Sequence, residues 1–251
     1  IREKTLGKEH SATAIGLNNL ASLYDAQGKY EQAESLYQHA LVIREKLLGL
    51  KHPDVAQSLN NLARLYDTQG KYEQAEPLYQ RALAIDEQLL GSEHPEVATD
   101  FNNLALLYYN QGMYAQAEPL YQRALAIGEQ MLGSEHPEVA TDLNNLALLY
   151  QAQGKYEQAE PLLQRALAIC EKILGAEHPD TATSLNNLAL LYYTQGRYEQ
   201  AEPLYQRALR IWEQNLGPEH PHVATLLKNY ADLLGKTERE AEAAKLYNNE
   251  K

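Results

Sequence analysis

Cysteine is nearly absent from the chain, and so are phenylalanine and tryptophan. The 251 residues contain one cysteine, one phenylalanine and one tryptophan, against 18 tyrosines. A single cysteine excludes an internal disulfide, and with it a small fold that depends on disulfide bonds for its stability. The abundance of tyrosine alone among the aromatic residues indicates that tyrosine recurs at fixed places.

Long apolar runs are also missing. No stretch of the sequence approaches the roughly 20 consecutive apolar residues of a membrane-spanning helix. The first residues show no secretory signal pattern. We therefore expect no insertion into a membrane and an intracellular, cytoplasmic location.

Basic residues are too few to balance the acidic ones. The chain has 22 Lys and Arg against 34 Asp and Glu, which gives a formal net charge of −12 at pH 7. Affinity for nucleic acids rests on cationic side chains that neutralise phosphates, so the charge disfavours nucleic-acid partners. It also disfavours general binding to acidic partners and anionic membrane surfaces.

What the chain does contain is one segment repeated at a fixed interval. Residues 96–137 and 138–179 are identical at 32 of 42 aligned positions. A Leu-Gly dipeptide and a loop histidine recur at the same step. The histidines are His10, His52, His94, His136, His178 and His220. A fixed period of between 20 and 50 residues predicts a stacked array of repeats.

Each repeat shows two amphipathic helical patterns separated by a glycine. In the second copy, apolar residues recur at steps of three and four residues, as expected for one face of a helix. These residues are Val55, Ala56, Leu59, Leu62, Ala63 and Tyr66, followed by Tyr72, Ala75, Leu78, Tyr79, Ala82 and Leu83. Gly70 allows a tight turn between the two helices, and Gly49 is typical of a helix end. Because one helix pair cannot bury its apolar faces alone, neighbouring repeats must cover them.

The period predicts a single array over residues 1–251. Residues 1–9 match the tail of a truncated preceding repeat, residues 10–221 form five full repeats, and residues 222–251 form a sixth, degenerate capping repeat. We predict first helices near 12–27, 54–69, 96–111, 138–153, 180–195 and 222–235. We predict second helices near 29–48, 71–90, 113–132, 155–174, 197–216 and 238–250. Pro77 and its equivalents fall inside the second helices, so these helices either begin later or bend at the proline.

No group of residues stands apart from the repeat as a reaction centre. The six loop histidines lie on different repeats, too far apart to share the ~2 Å bonds of one zinc ion, and loop packing explains them. Cys170 occupies a position that differs in the sister repeats, which indicates a variable surface position with an unreactive thiol. The sister residues are Asp86, Gly128 and Trp212. We therefore predict a protein that is not an enzyme and that has no cofactor and no metal.

The repeated residues resemble those of the tetratricopeptide repeat. In the second copy the resemblance is carried by Leu62 and Ala63, the tripeptide 70–72, and the positions Tyr66, Ala75, Tyr79 and Ala82. The 42-residue unit with LNNLA, QGKYEQAEPLYQRALAI and LGxEHP is similar to the kinesin light chain subclass and its bacterial relatives. The resemblance implies an all-α fold, an α-solenoid of antiparallel helix pairs that forms a right-handed superhelix. It also implies a concave groove, lined by first helices, that binds peptide segments.

Two adjacent asparagines recur in the middle of each first helix. Asparagine is a poor helix former, up to about 0.7 kcal/mol worse than alanine, so the pair needs a reason. On a helical projection the first asparagine lies on the flank, towards a neighbouring repeat, and the second lies opposite the apolar face. We predict that the flank asparagines (Asn18, Asn60, Asn102, Asn144 and Asn186) bridge repeats. We predict that the groove asparagines bind ligand, principally Asn19, Asn61, Asn103, Asn145 and Asn187.

A second row on the same face is apolar in the middle of the chain and polar at its ends. It reads Ser22, Arg64, Leu106, Leu148, Leu190 and Asp232, with Tyr109 and Tyr193 beside it. Leucine on a face that should be wet favours a binding strip. The alternative is that these leucines only tighten the packing of adjacent first helices. The candidate ligand-binding residues are therefore Asn19, Asn61, Arg64, Asn103, Leu106, Tyr109, Asn145, Leu148, Asn187, Leu190 and Tyr193.

These observations favour a scaffold for protein–protein interaction that binds a peptide or protein segment. One alternative is a ligand-sensing repeat array of a larger nucleotide-switch signalling protein. Another is a structural repeat fragment that associates with itself through its exposed ends. The sequence names neither the ligand nor the host protein.

Overall fold

The computed structural model describes residues 10–248, and this part of the chain is helical with no β-strand. Twelve helices follow one another in it. They are α1 (Ser11–Ala26), α2 (Tyr30–Leu48), α3 (Pro53–Thr68), α4 (Tyr72–Leu90), α5 (Pro95–Asn110), α6 (Tyr114–Leu132), α7 (Pro137–Ala152), α8 (Tyr156–Ile173), α9 (Pro179–Thr194), α10 (Tyr198–Leu216), α11 (Pro221–Lys236) and α12 (Glu240–Asn248). The predicted helices are confirmed, with ends within two residues of those expected. The expected tail of a preceding repeat, residues 1–9, lies outside the described residues.

Two compact units make up the chain: unit 1, residues 1–127, and unit 2, residues 128–251. The division falls within α6. In unit 1, α1 to α5 pack consecutively, and the first helices α3 and α5 also touch each other. In unit 2, α7 to α12 pack consecutively, and the first helices α7, α9 and α11 touch in the same way. Each unit is thus a solenoid of helix pairs, while a single array over residues 1–251 and its right-handed superhelix stay predictions.

The apolar core lies between the packed helices of each unit. In unit 2 it is one continuous cluster that runs from Ala147 to Ala243. In unit 1, Ala63, Ala75 and Ala82, which belong to the predicted apolar faces, are fully buried. No helix in the described residues is long and apolar enough to cross a lipid bilayer.

A glycine ends each of the first five first helices in the same way. At the end of α3, Gly70 has φ of 70°, its N–H bonds to Asp67 O at 2.8 Å, and the N–H of Lys71 bonds to Tyr66 O at 2.8 Å. This is the Schellman arrangement, which uses the left-handed conformation that glycine adopts without strain. The turn therefore reverses the chain within three residues and lays the second helix against the first.

The internal prolines lie well inside the second helices. α4 begins at Tyr72, so Pro77 is beyond its first turn, and the same holds in α8 and α10. The sequence predicted that these helices either begin later or bend at the proline. The later start is wrong. The proline ring removes one backbone donor, so the helix continues without one of its hydrogen bonds.

Candidate functional site

The repeated loop histidines cap the first helices. In α3, Nδ1 of His52 accepts a hydrogen bond from the backbone N–H of Asp54 at 3.1 Å. The histidines before α1, α5, α7, α9 and α11 make the same bond. The bond supplies a partner for one of the free N–H groups at the helix start. The bond also occupies the Nδ1 lone pair. These rings therefore have a structural role as helix caps, whereas the sequence predicted only that they pack in the loops.

The flank asparagines join consecutive first helices. In unit 1 the side-chain amide of Asn60 donates to Oδ1 of Asp100 at 2.6 Å. In unit 2 the amide of Asn144 donates to Oγ of Ser184 at 3.1 Å. Each bond links a first helix to the first helix of the next repeat. The predicted role of the flank asparagines as bridges between repeats is confirmed at these two positions.

The groove asparagines belong to the same network. Nδ2 of Asn61 donates to Oδ1 of Asn18 at 3.2 Å in unit 1. In unit 2, Nδ2 of Asn187 donates to Oδ1 of Asn144 at 3.5 Å. Each of these amides is oriented by the flank asparagine of the preceding repeat, a pairing that the sequence did not predict. An amide has two N–H donors and two acceptor lone pairs, so it keeps capacity for a further partner.

The apolar row is only partly accessible. In unit 1 the side chain of Leu106 is 45% exposed. In unit 2, Leu148 and Leu190 are half-buried, so part of their surface packs within the unit, as the alternative interpretation expects. In each unit this leaves leucine surface that a ligand can cover.

A pair of tyrosine rings flanks the apolar row in each unit. Tyr109 lies against Tyr114 in unit 1, with ring centroids 5.7 Å apart and planes tilted by 45°. In unit 2, Tyr193 lies against Tyr198 at the same distance with a tilt of 48°. Burial raises the pKa of Tyr109 and of Tyr193. Both phenols therefore stay neutral near pH 7 and keep an O–H donor at the edge of the row.

Arg64 is held within unit 1. Its Nη2 lies 2.9 Å from Oδ2 of Asp25, whose side chain is 8% exposed, whereas the Arg64 side chain is 51% exposed. One turn further along α3, Asp67 accepts two bonds from the amide of Asn110 at 3.1 and 3.2 Å. The charge of Arg64 is thus offset by a buried partner, so this end of the face offers little net positive charge to a ligand.

The structure gathers the candidate residues into two sets. Unit 1 carries Asn19, Asn61, Arg64, Asn103, Leu106 and Tyr109 on α1, α3 and α5. Unit 2 carries Asn145, Leu148, Asn187, Leu190 and Tyr193 on α7 and α9. Within each unit the first helices touch their neighbours, so amide and apolar positions repeat side by side. Each set carries asparagine amides on the surface of the first helices. Beside them unit 2 has Leu148 and Leu190, whereas unit 1 has Leu106 with the polar Ser22 and Arg64.

Sequence reasoning missed the buried junction between each second helix and the next first helix. Cys170 is 2% exposed, so the expectation of a variable surface position is wrong. Its Sγ lies 3.6 Å from Oγ of Ser184, and burial raises the pKa of the thiol. The residue at this position faces the residue 14 positions later, on the next first helix. The contacts are Arg44 with Ser58, Asp86 with Asp100, Gly128 with Asp142 and Cys170 with Ser184.

The junction of unit 1 between α4 and α5 holds two buried carboxyl groups. Asp86 is 7% exposed and Asp100 is 2% exposed, and one buried oxygen of each, Oδ1 of Asp86 and Oδ2 of Asp100, has no hydrogen-bond partner among the described residues. Burial raises the pKa of Asp100 to about 7, the Asp86 carboxyl adds to the rise, and the bond from Asn60 opposes it. Two ionised carboxylates cannot donate to each other. A proton shared between them therefore stabilises the pair at and below neutral pH.

Comparisons with known proteins agree with this geometry. The family model described as tetratricopeptide repeat matches residues 1–46, 12–88, 69–130, 96–172, 138–214 and 187–248. A comparison with curated proteins found no match. The crystal structure of BtubC (BKLC) from P. vanneervenii is 32% identical, with 84% of each chain covered and a TM-score of 0.69.

Two further solved structures share the fold. A putative kinesin light chain of Podosopora anserina with nearly identical TPR-like repeats is 31% identical; the match covers 82% of this chain and 98% of that chain, with a TM-score of 0.67. A signal transduction ATPase with a tetratricopeptide repeat sensor from Pyrococcus horikoshii is 18% identical, with coverage of 95% and 35% and a TM-score of 0.71. The last shows the fold alone. With the family model matched from residue 1 to residue 248 and two solved relatives above 30% identity, the chain belongs to the tetratricopeptide repeat family.

Proposed function

We propose that this chain is a non-catalytic scaffold that binds a peptide or protein segment on the surface of its first helices. The observation that carries the proposal is that each unit places asparagine amides beside partly exposed leucine, Leu106 in unit 1 and Leu148 and Leu190 in unit 2. An extended peptide has the complementary needs, because its backbone groups need hydrogen-bond partners and its apolar side chains need burial. The family resemblance points to the same class of partner.

The amide row is suited to the backbone of the ligand. Asn61 and Asn187 are already oriented by hydrogen bonds within their units, so binding does not have to fix their rotamers. A preorganised donor loses less conformational entropy on binding than a free one. Each amide–backbone bond contributes about 0.5–1.5 kcal/mol net.

The apolar row selects the side chains of the ligand. Leu106 in unit 1 and Leu148 and Leu190 in unit 2 leave apolar surface uncovered. Burial of apolar area contributes about 25 cal/mol per Å², so partly exposed leucines contribute less than fully exposed ones. Because Arg64 is paired with Asp25, we propose a mostly neutral, apolar ligand of moderate affinity rather than a nucleic acid or a membrane.

A double variant in unit 2 tests this site. Asn145→Ala with Leu148→Asp removes one amide and places a charge in the apolar row. The probe is a phage-displayed library of random peptides selected on the wild-type chain. The selected peptides should lose at least about tenfold in affinity, the loss of one amide bond plus one apolar contact.

A matched control separates the site from general effects of charge. Gln158→Ala with Ala168→Asp makes the same chemical changes on the exposed surface of the second helix α8. This control should bind the selected peptides as the wild type does. The variant Asn145→Ala with Leu148→Asp, called the groove variant, and the control should both keep the wild-type melting temperature. If the groove variant then binds the peptides with the same affinity as the control, the first-helix face is not the site.

The sensor-array alternative concerns the host protein rather than this surface. The similar ATPase carries its repeats as a sensor within a longer chain, and an array of that kind would also need a ligand face. Isolation of the full-length protein and an assay of ATP hydrolysis with and without a selected peptide would separate the two functions. A scaffold shows no change in hydrolysis, whereas a sensor array shows stimulation or repression.

A further inference from the structure

One loop between repeats differs from its sisters at two adjacent positions. Leu50 and Lys51 lie between α2 and α3. The sister loops of the described chain carry Ser92-Glu93, Ser134-Glu135, Ala176-Glu177 and Pro218-Glu219. The loop begins alike, since Gly49 has φ of 87° and Gly91 has φ of 88°. It then follows a different path: His52 has φ of −129° against −77° at His94, and the sister loops have a His N–H to Gly O bond, such as His94 to Gly91 at 3.2 Å, that is not formed at 49–52. The difference therefore changes both the surface of this loop and its path.

In three of the four sister loops the glutamate is paired with a cation on the following second helix. In unit 2, Nζ of Lys172 lies 2.6 Å from Oε2 of Glu135, and Arg210 lies 3.1 Å from Glu177. Lys51 reverses the charge at this position. Among the described residues no carboxylate forms an ion pair with Lys51. Lys51 thus places a positive charge where these sister loops place a glutamate that is neutralised by an ion pair.

Lys51 borders a surface pocket of about 490 Å³ in unit 1. Six residues line it: Leu50, Lys51, Arg81, Ala84, Ile85 and Gln88. None of them is acidic, and Arg81 bonds to Glu45 outside the pocket at 2.7 Å. The side chain of Leu50 is 62% exposed. The pocket therefore combines an apolar wall with Lys51, which has no ion-pair partner among the described residues, and Arg81, whose charge is partly offset by Glu45.

We propose that this pocket, the α2–α3 loop pocket, docks a partner-protein segment in which an aliphatic side chain stands next to a carboxylate. The aliphatic group would cover Leu50, Ala84 and Ile85, which removes apolar surface from water. The carboxylate would lie between Lys51 and Arg81, where it forms a charge-assisted hydrogen bond. A simple anion would leave Leu50 exposed, and a purely apolar segment would leave Lys51 without a partner, so the combination favours both groups on one ligand. The pocket is formed by a loop and a second helix, so it is separate from the first-helix face proposed above.

The sister loops supply the variant that tests the pocket. Leu50→Ser with Lys51→Glu recreates the Gly-Ser-Glu-His-Pro sequence found at 91–95 and 133–137. Because two loops of this chain already carry that sequence between the same helices, the helices of the variant should fold as in the wild type. A phage-displayed library of random peptides is selected on the wild-type chain and depleted on this variant. We expect enrichment of peptides with Asp or Glu adjacent to Leu, Ile or Val. Their affinity should fall at least tenfold in the double variant and at least threefold in Lys51→Glu alone, and it should weaken as salt rises.

Three results would overturn the proposal. The first is that depletion leaves no peptide that distinguishes the wild type from the loop variant. The second is that the wild type forms dimers in sedimentation that the loop variant loses, which would make a second copy the occupant. The third is loop-dependent binding to vesicles of phosphatidylcholine with phosphatidylserine, which would make a membrane surface the occupant. The groove variant Asn145→Ala with Leu148→Asp should leave the loop-selected peptides bound, so failure of either site is seen independently of the other.

Discussion

The buried carboxyl pair in unit 1 makes one prediction that can be worked out in full. Asp100→Asn replaces one carboxyl with an amide of nearly the same shape. The new Oδ1 can still accept the hydrogen bond from Asn60, and the new NH₂ can donate to Asp86, a bond that otherwise needs a shared proton. In the variant, the carboxylate of Asp86 should therefore have a hydrogen-bond donor at every pH at which it is ionised.

The sign of the effect follows from the raised pKa of Asp100. The group has a pKa of about 7 in the folded chain, against an ordinary value of 3.8. The folded chain therefore binds more protons than the unfolded chain between these values, so the free energy of unfolding falls as pH rises through this range. The stabilising contribution is fully present below the ordinary value and is lost above about pH 7.

The magnitude comes from the same difference. At about 1.36 kcal/mol per pKa unit, a rise of roughly three units corresponds to about 4 kcal/mol, an upper limit because Asp86 and Asp100 titrate together. As the pH rises from 4 to 8, the free energy of unfolding of the wild type should therefore fall by about 2–4 kcal/mol relative to that of Asp100→Asn. The measurement is the urea midpoint of both chains across that range, with circular dichroism as the probe.

A control variant isolates the pair. Asp142→Asn changes the equivalent residue in unit 2, which faces Gly128 instead of a second carboxyl. It should keep the wild-type dependence of stability on pH, because the Asp86–Asp100 pair is intact. The shared proton would be refuted if the free energies of unfolding of wild type and Asp100→Asn differed by the same amount at every pH. It would also be refuted if the variant were more stable than the wild type only at acid pH.

Other features of the described chain give three further predictions. His136→Ala removes the cap of α7 and should lower the free energy of unfolding by about 1 kcal/mol, measured by urea denaturation. Gly128→Ala places a Cβ 2.9 Å from Oδ2 of Asp142, so it should destabilise by about 1–3 kcal/mol despite the better helix propensity of alanine, and Asp142→Ser in the same chain should restore stability. Glu238 has φ of 59° where the earlier repeats carry glycine; Glu238→Gly should raise stability by about 1 kcal/mol, seen as an increased melting temperature.

The fold could be predicted from the sequence because the same signals recur from repeat to repeat. A glycine such as Gly70 marks the turn within a pair, and a His-Pro dipeptide such as His52-Pro53 marks the start of the next first helix. Each signal has a local physical cause, and its five copies average out the ambiguity of any one of them. The exact role of the histidine was missed because histidine is outside the usual set of capping residues.

The candidate site was predicted less completely, because side-chain partners depend on contacts between repeats. The helical projection assigned Asn60 to the flank and Asn61 to the groove, and the structure confirms the bridge made by Asn60. It did not predict that Asn61 bonds back to Asn18. The sequence also placed Cys170 at the surface, because a position that varies between repeats looks like one without structural constraint.

The error at Cys170 has a physical explanation that applies to every junction. A repeat array is stabilised by interfaces between neighbours, and each interface needs complementary volume and satisfied polar groups, not a fixed residue. A thiol beside Ser184 meets these conditions in unit 2. In unit 1, Asp86 and Asp100 need a shared proton to meet them, because one buried oxygen of each has no hydrogen-bond partner among the described residues. Different residues can therefore occupy this position against the same type of facing residue, since a serine faces both Arg44 and Cys170. Since Asn60 bonds to Asp100, the junction chemistry of unit 1 reaches the asparagine network of the first helices, whereas in unit 2 the corresponding partner is the uncharged hydroxyl of Ser184. We therefore expect the junction of unit 1 to make stability depend on pH near neutrality.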